Sequence, residues 1–192
     1  MQSKLSIKDF VISLLKNKLS EHYYYHNHEH TLYVIEKAIE IGRHEGCSEK
    51  ELELLNVAAL WHDTGYITIY HNHEEESCLL ARHYLPEYGY SAPDIDEVCG
   101  MIMATKMPQS PKTKLEEILA DADLEYLGTS DYETIANRLF RELKLINTSL
   151  TEEKWRLMQI SFLQNHCYFT QFCKENRESV KQINLSKLVN QY

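Results

Sequence analysis

An apolar run that ends in a histidine and an aspartate sets the strongest condition on how this chain can fold. Leu52, Leu54, Leu55, Val57, Ala58 and Leu60 carry a helical pattern straight into Trp61-His62-Asp63-Thr64-Gly65. An imidazole and a carboxylate are thereby delivered to the edge of a core. Burying an unpaired carboxylate costs several kcal/mol or forces it to take up a proton, so Asp63 requires a cation or a donor close by. The chain offers candidates on both sides: Tyr25-His26-Asn27-His28-Glu29-His30 upstream and Leu119-Ala120-Asp121-Ala122-Asp123-Leu124 downstream. Imidazole nitrogens and carboxylate oxygens from three separated helices suit convergence on one divalent ion, as in other helical bundles.

The pattern around these stretches is helical almost throughout. Ile7, Phe10, Val11, Leu14 and Leu15 recur at helical spacing, and a second helix is expected over about 31–44, with Gly46 as its stop. Ser48 with Glu51 spells a capping box that opens the helix ending at His62-Asp63, and Ser130 with Glu133 spells another. Residues 66–70 read as a loop, 74–85 as a helix closed by Pro86, 106–112 as a loop with two prolines, and 115–127 as a helix stopped by Gly128. Further helices follow behind Thr151 and over 179–188. With no repeat, no low-complexity tract and no Gly/Ser linker, the expectation is an all-α fold. It is one domain over 1–192, with a metal-site core at about 20–130 and helices 131–192 packed on it.

Composition narrows the partners. The 43% hydrophobic and 26% charged content is that of an ordinary globular chain, and a net charge of -9 without a basic run argues against nucleic acid or an anionic membrane surface. The five cysteines are odd in number and form no CxxC pair, so they read as reduced packing residues of a cytoplasmic protein, with no signal peptide and no membrane span. A homo-oligomer is compatible with this composition.

The site residues separate by geometry. His26 and His30, four apart, share a face if one helix includes both. Asp121 and Asp123 lie about 200° apart around a helix axis, so one should face the ion while the other serves as support. Periodicity favours Asp123, on the side of Leu119 and Ala122. Lys106, at the end of an apolar helix, is the leading candidate for a substrate phosphate, although the helix macrodipole alone would also favour a lysine there. Arg82 is a weaker candidate, and Tyr23, Tyr24 and Tyr25 offer faces on which a base could stack.

The order of these motifs resembles the HD-domain superfamily of metal-dependent phosphohydrolases, whose signature is a first histidine, a His-Asp doublet and a distant aspartate. Tyr25-His26-Asn27 followed by His30 is similar to an element of its cyclic-nucleotide phosphodiesterases. Leu119-Ala120-Asp121 is similar to the Leu-Ala-Asp of its guanosine-tetraphosphate hydrolases, and His73-Glu74 with Ser77 to the His-Glu-x-x-Ser of small bacterial members. The resemblance implies a divalent cation, which could be Mn, Fe, Zn, Co or Mg, held by His30, His62, Asp63 and Asp121. Asp123, His73 and Glu74 stand in reserve as supporting groups or ligands of a second ion. It further implies that His26 is a proton donor, that Asp63 doubles as a catalytic group, and that activated water attacks phosphorus in a nucleotide or other small phosphate ester. Alternatives of the same kind are a cyclic- or dinucleotide phosphodiesterase and a sensor that binds without turnover. The chain lacks the Gly-Tyr-Pro extension of cyclic-di-guanylate phosphodiesterases, and Tyr66-Ile67 replace the Glu-Asp doublet of guanosine-tetraphosphate hydrolases.

Overall fold

The computed structural model describes residues 5–190. Among them are ten α-helices, three 3-10 turns and no strand. The helices are α1 (Ile7–Lys18), α2 (His28–His44), α3 (Glu49–Trp61), α4 (His73–Tyr84), α5 (Ala92–Ala104), α6 (Lys114–Asp123), α7 (Tyr132–Ile146), α8 (Glu152–Asn165), α9 (Gln171–Asn176) and α10 (Glu178–Val189). Among the described residues no helix is long and apolar enough to cross a membrane.

Local chemistry explains most of the boundaries. The capping box at Ser48 and Glu51 is present in full, each satisfying the other's orphan donors at the start of α3. Gly46, behind α2, takes a φ of 70°, a left-handed turn that costs glycine nothing. At the other end of α2 the helix starts three residues before Thr31, because the Asn27 side chain accepts from the N–H groups of Glu29 and His30 at 2.9 and 3.3 Å. Two expectations fail. Asp131 precedes α7 with no side-chain cap, so the Ser130/Glu133 box does not form, and α6 gives way at Leu124 to a 3-10 turn over Glu125–Gly128.

The apolar faces collect into two clusters. The larger joins α1 through α6, with Leu15, Leu55, Trp61, Ile102 and Leu119 inside. Each such large side chain contributes roughly 1.5–3 kcal/mol by leaving water. The smaller joins Tyr25, Tyr126 and Leu127 to α7, α8 and α10 through Tyr132, Ala136, Trp155, Leu163 and Leu188. No disulfide staples either cluster: all five cysteines are free, with Cys78, Cys99 and Cys173 buried and Cys167 exposed.

Candidate metal centre

His62 ends α3 with its direction set by the backbone. Its Nδ1 donates to the Ala59 carbonyl at 2.7 Å, so in the neutral ring Nε2 keeps its lone pair for whatever it faces. The next turn is clamped from α4: the Ser77 hydroxyl donates to the His62 carbonyl at 2.7 Å and accepts from the Gly65 N–H at 2.8 Å. Glycine is required there, since a Cβ on residue 65 would lie 2.0 Å from the His73 carbonyl oxygen. The His73-Glu74-x-x-Ser77 motif therefore has a local structural role, holding the turn that follows the His-Asp doublet against α4.

Three elements then converge. His30 Nε2 lies 3.4 Å from His62 Nε2 and 3.0 Å from Asp123 Oδ1, while Asp63 Oδ2 lies 3.2 Å from His62 Nε2 and 3.5 Å from His30 Nε2. One ligand atom from each of His30, His62 and Asp123 falls within 4.8 Å of the others. Asp63 Oδ2 is fully buried beside them without a hydrogen-bond partner. The two imidazoles and Asp123 in this arrangement could hold a divalent cation, with Asp63 beside them, and the oxygen without a hydrogen bond supplies the physical reason: its nearest partners are the two ring nitrogens at 3.2 and 3.5 Å, and an ion there would give the buried charge a closer one. Electrostatics agree. Burial alone would raise the Asp63 and Asp123 carboxyls, but the neighbouring histidines pull both well below the usual range. Burial would lower His62, and Asp63 with Asp123 reverse that and lift it well above its ordinary value.

Asp121 does not join them, which corrects the register argument drawn from Leu119-Ala120-Asp121. Its carboxylate, fully buried, accepts from the Phe169 N–H at 2.9 Å, the Thr170 N–H at 2.8 Å and the Thr170 hydroxyl at 2.6 Å, anchoring the start of α9. Helix geometry turns the two aspartates to opposite sides, and Asp123 has the side facing His30 and His62.

The remaining candidates divide. His73 stacks on Tyr66 with ring centres 3.8 Å apart, its Nε2 lies 3.5 Å from Asp63 Oδ1, and Glu74 Oε1 lies 3.6 Å from that nitrogen. Burial holds the His73 ring below its ordinary value. His26 Nδ1 donates to the Glu142 carboxylate, and its Nε2 lies 3.1 Å from the Tyr66 hydroxyl. Burial opposes a charge on His26, but the Glu142 hydrogen bond and the Asp63 charge outweigh it and raise its pKa. Lys106 faces away from this centre. Its ammonium binds Glu75 and the Asn72 side chain, and the two neighbours Thr105 and Met107, not Lys106, line the cavity in front of Asp63. Arg82 pairs with Asp96 at 2.6 Å. Of the tyrosines, Tyr25 reaches the cavity, whereas Tyr24 lies under the Arg141 guanidinium.

Glu142 escaped the sequence reading, and it matters: buried on α7, it also accepts from the Tyr25 and His26 backbone N–H groups at 2.9 and 3.1 Å. An acid beside Leu139 and Leu143 on an otherwise apolar helical face was the available signal. Tyr66 falls in the stretch read as a loop, which begins inside a 3-10 turn, Thr64–Ile67, that turns its ring to His26 and His73.

A family model described as HD domain matches residues 27–125, just over half of the chain. No curated protein matches it. Among solved structures, a predicted HD superfamily hydrolase from an uncultured Thermotogales bacterium superposes with a TM-score of 0.60 at 21% identity, covering 94% of this chain and 90% of that one. At that identity the likeness speaks for the fold, and the family match carries the rest. With the doublet at the end of α3, the first histidine on α2 and the distant aspartate on α6, this chain belongs to the HD domain family of metal-dependent hydrolases.

Proposed function

We propose that the protein is a divalent-metal-dependent phosphohydrolase acting on a small phosphate ester, with His30, His62, Asp63 and Asp123 as the cation's ligands. The observation that carries this reading is the buried, unpartnered Asp63 Oδ2 within 3.5 Å of two imidazole nitrogens, at the wall of a cavity of about 310 Å³. A bound cation supplies positive charge to a phosphate oxygen and acidifies a water.

The chain's own residues supply the remaining requirements. His26 lines the same cavity, with its ring centre 6.2 Å from that of His30, and serves as the proton donor to the departing alkoxide. Glu142 orients that imidazole from Nδ1 and carries the countercharge when the ring holds two protons, while Tyr66 positions Nε2. His73 and Glu74 complete the wall beside Asp63 and act as its support.

The test is elemental mass spectrometry and phosphate release on the Mn²⁺-loaded protein, alongside Asp63→Ala and Asp123→Ala. The parent should hold about one equivalent of cation and release phosphate, and both variants should lose cation together with at least about 10³-fold of turnover, the scale of losing a metal's charge stabilisation. A parent that takes up no cation and releases no phosphate from any ester would defeat the reading.

A further inference from the structure

The cavity in front of Asp63 has two chemically different ends. Near the metal ligands it is bounded by the carboxylates of Asp63, Glu74 and Asp123 and the imidazoles of His26 and His73. Beyond Tyr126 it runs between two helices that each turn one face to it. From α7 come Tyr132, Ala136, Leu139 and Leu143, and from α8 come Trp155, Met158, Gln159 and Phe162. Both sets follow the spacing of a single helical stripe. These stripes pack into the second apolar cluster and also border the cavity, with Met158 half exposed at its edge.

Charge limits what can enter. Among the described residues no lysine or arginine lines this cavity, and Lys106, between the lining residues Thr105 and Met107, binds Glu75 and Asn72 instead. The lining sets the three carboxylates of Asp63, Glu74 and Asp123 beside the place of one divalent cation. One phosphate can sit against the cation, whereas a second or third would lie among carboxylates or hydrocarbon with no countercharge.

The polar inventory of the inner chamber is equally restrictive. The Tyr132 hydroxyl donates to Gln159 Oε1 at 2.8 Å, which leaves the Gln159 amide N–H groups as donors in this end of the cavity. The Trp155 indole N–H is buried and has no partner. A ligand part seated here meets hydrocarbon, aromatic faces and at most a few donors. The hydroxyls of a sugar or of glycerol would lose water without recovering hydrogen bonds.

We propose that the α7–α8 chamber selects a phosphate monoester whose organic part is apolar, an alkyl or aryl group, with a single phosphate at the metal end. Naming that ligand a substrate rests on the hydrolase reading above; the chamber's preference for an apolar group does not. Leu139 and Phe162 are then specificity-determining residues, touching the organic part and not the reacting atoms.

The experiment uses the full chain loaded with Mn²⁺. Phosphate release is measured for hexyl phosphate, glycerol 3-phosphate, AMP and ATP, and calorimetry measures binding of hexylphosphonate and methylphosphonate, which cannot be hydrolysed at the ester position. Hexyl phosphate should exceed glycerol 3-phosphate in kcat/KM by at least about tenfold although its alcohol is no better a leaving group. ATP should be the poorest of the four. Hexylphosphonate should bind at least about tenfold tighter than methylphosphonate, since two buried methylenes are worth roughly a factor of ten. Leu139→Asn and Phe162→Ser should each shrink the hexyl-to-methyl binding ratio toward one, with thermal melts reporting that they fold. Equal or better turnover of AMP, ATP or glycerol 3-phosphate would overturn the proposal, as would equal binding of the two phosphonates. Absence of all turnover with the hexyl preference intact would refute the hydrolase reading and leave the chamber's selectivity standing.

Discussion

The two apolar clusters of this protein treat interior space differently. Around α2, α3 and α6 large apolar side chains are buried, and the charges admitted to the interior are answered by named partners: Asp121 by the start of α9, Glu125 by Tyr33 and Arg177, His62 by Ala59 and its neighbouring carboxylates. The Asp63 oxygen that faces the histidines has their charge at 3.2 and 3.5 Å but no hydrogen bond of its own. Around α7 and α8 the side chains are apolar and aromatic, yet they stop short of closing and leave a chamber. The first region has its chemistry specified residue by residue. The second has a shape and a polarity, which exert their effect only on what occupies them. A site of this construction separates reactivity, held by rigid buried groups, from recognition, held by helix faces that can change without disturbing the ligands.

The largest test of that separation compares the two aspartates of α6. Asp121→Ala leaves three donors at the start of α9 unmet and should cost about 3 kcal/mol, a fall in Tm of roughly 6–12 °C, while cation stoichiometry is retained. Asp123→Ala should do the reverse, abolishing cation binding with a smaller change in the melting of the metal-free protein. If Asp121→Ala is the one that loses cation, the assignment of Asp123 as the ligand is wrong. Next is the bridge between the regions. Glu142 belongs to α7 but orients His26, so Glu142→Gln should lower kcat about 10–100-fold with the cation and KM nearly unchanged. An unchanged kcat would mean that His26 takes no part in proton transfer.

The smallest effect lies farthest from the site. His166, behind α8, is held at a pKa of about 4 by burial, helped by the charge of Lys181, whose ammonium donates to the His166 carbonyl at 2.6 Å. A folded-state value below the unfolded one, about 6.5, means that the unfolded chain binds the extra proton first. His166 therefore costs nothing above pH 6.5, and stability falls as pH drops from 6.5 toward 4, by a few kcal/mol at most. Urea titrations of the parent and His166→Gln across that window should diverge, with the variant less sensitive to acid; parallel curves would assign the acid loss to other groups.

Much of this was legible in the residues themselves. The helical fold follows from period and caps. The His62-Asp63 doublet and His30 follow from their places at the ends of apolar helices, because an expensive charge at a core edge demands a partner wherever the chain turns. For Asp121 and Asp123 the linear motif and the helical period pointed in opposite directions, and the period, which reports which way a side chain faces, was the better guide.

What the sequence determined by itself was the inventory: helices, an all-α domain, and metal-competent groups in an order suited to one ion. Tertiary structure alone decided which of those groups meet. Asp121 was claimed by backbone donors 48 and 49 residues away, Lys106 by Glu75 and Asn72, and His26 by Glu142 from 116 residues downstream. It also decided that α7 and α8 enclose a chamber. Periodicity says which face of a helix avoids water. Whether that face meets another helix or an open volume depends on where the rest of the chain places it, a long-range property that no local pattern encodes.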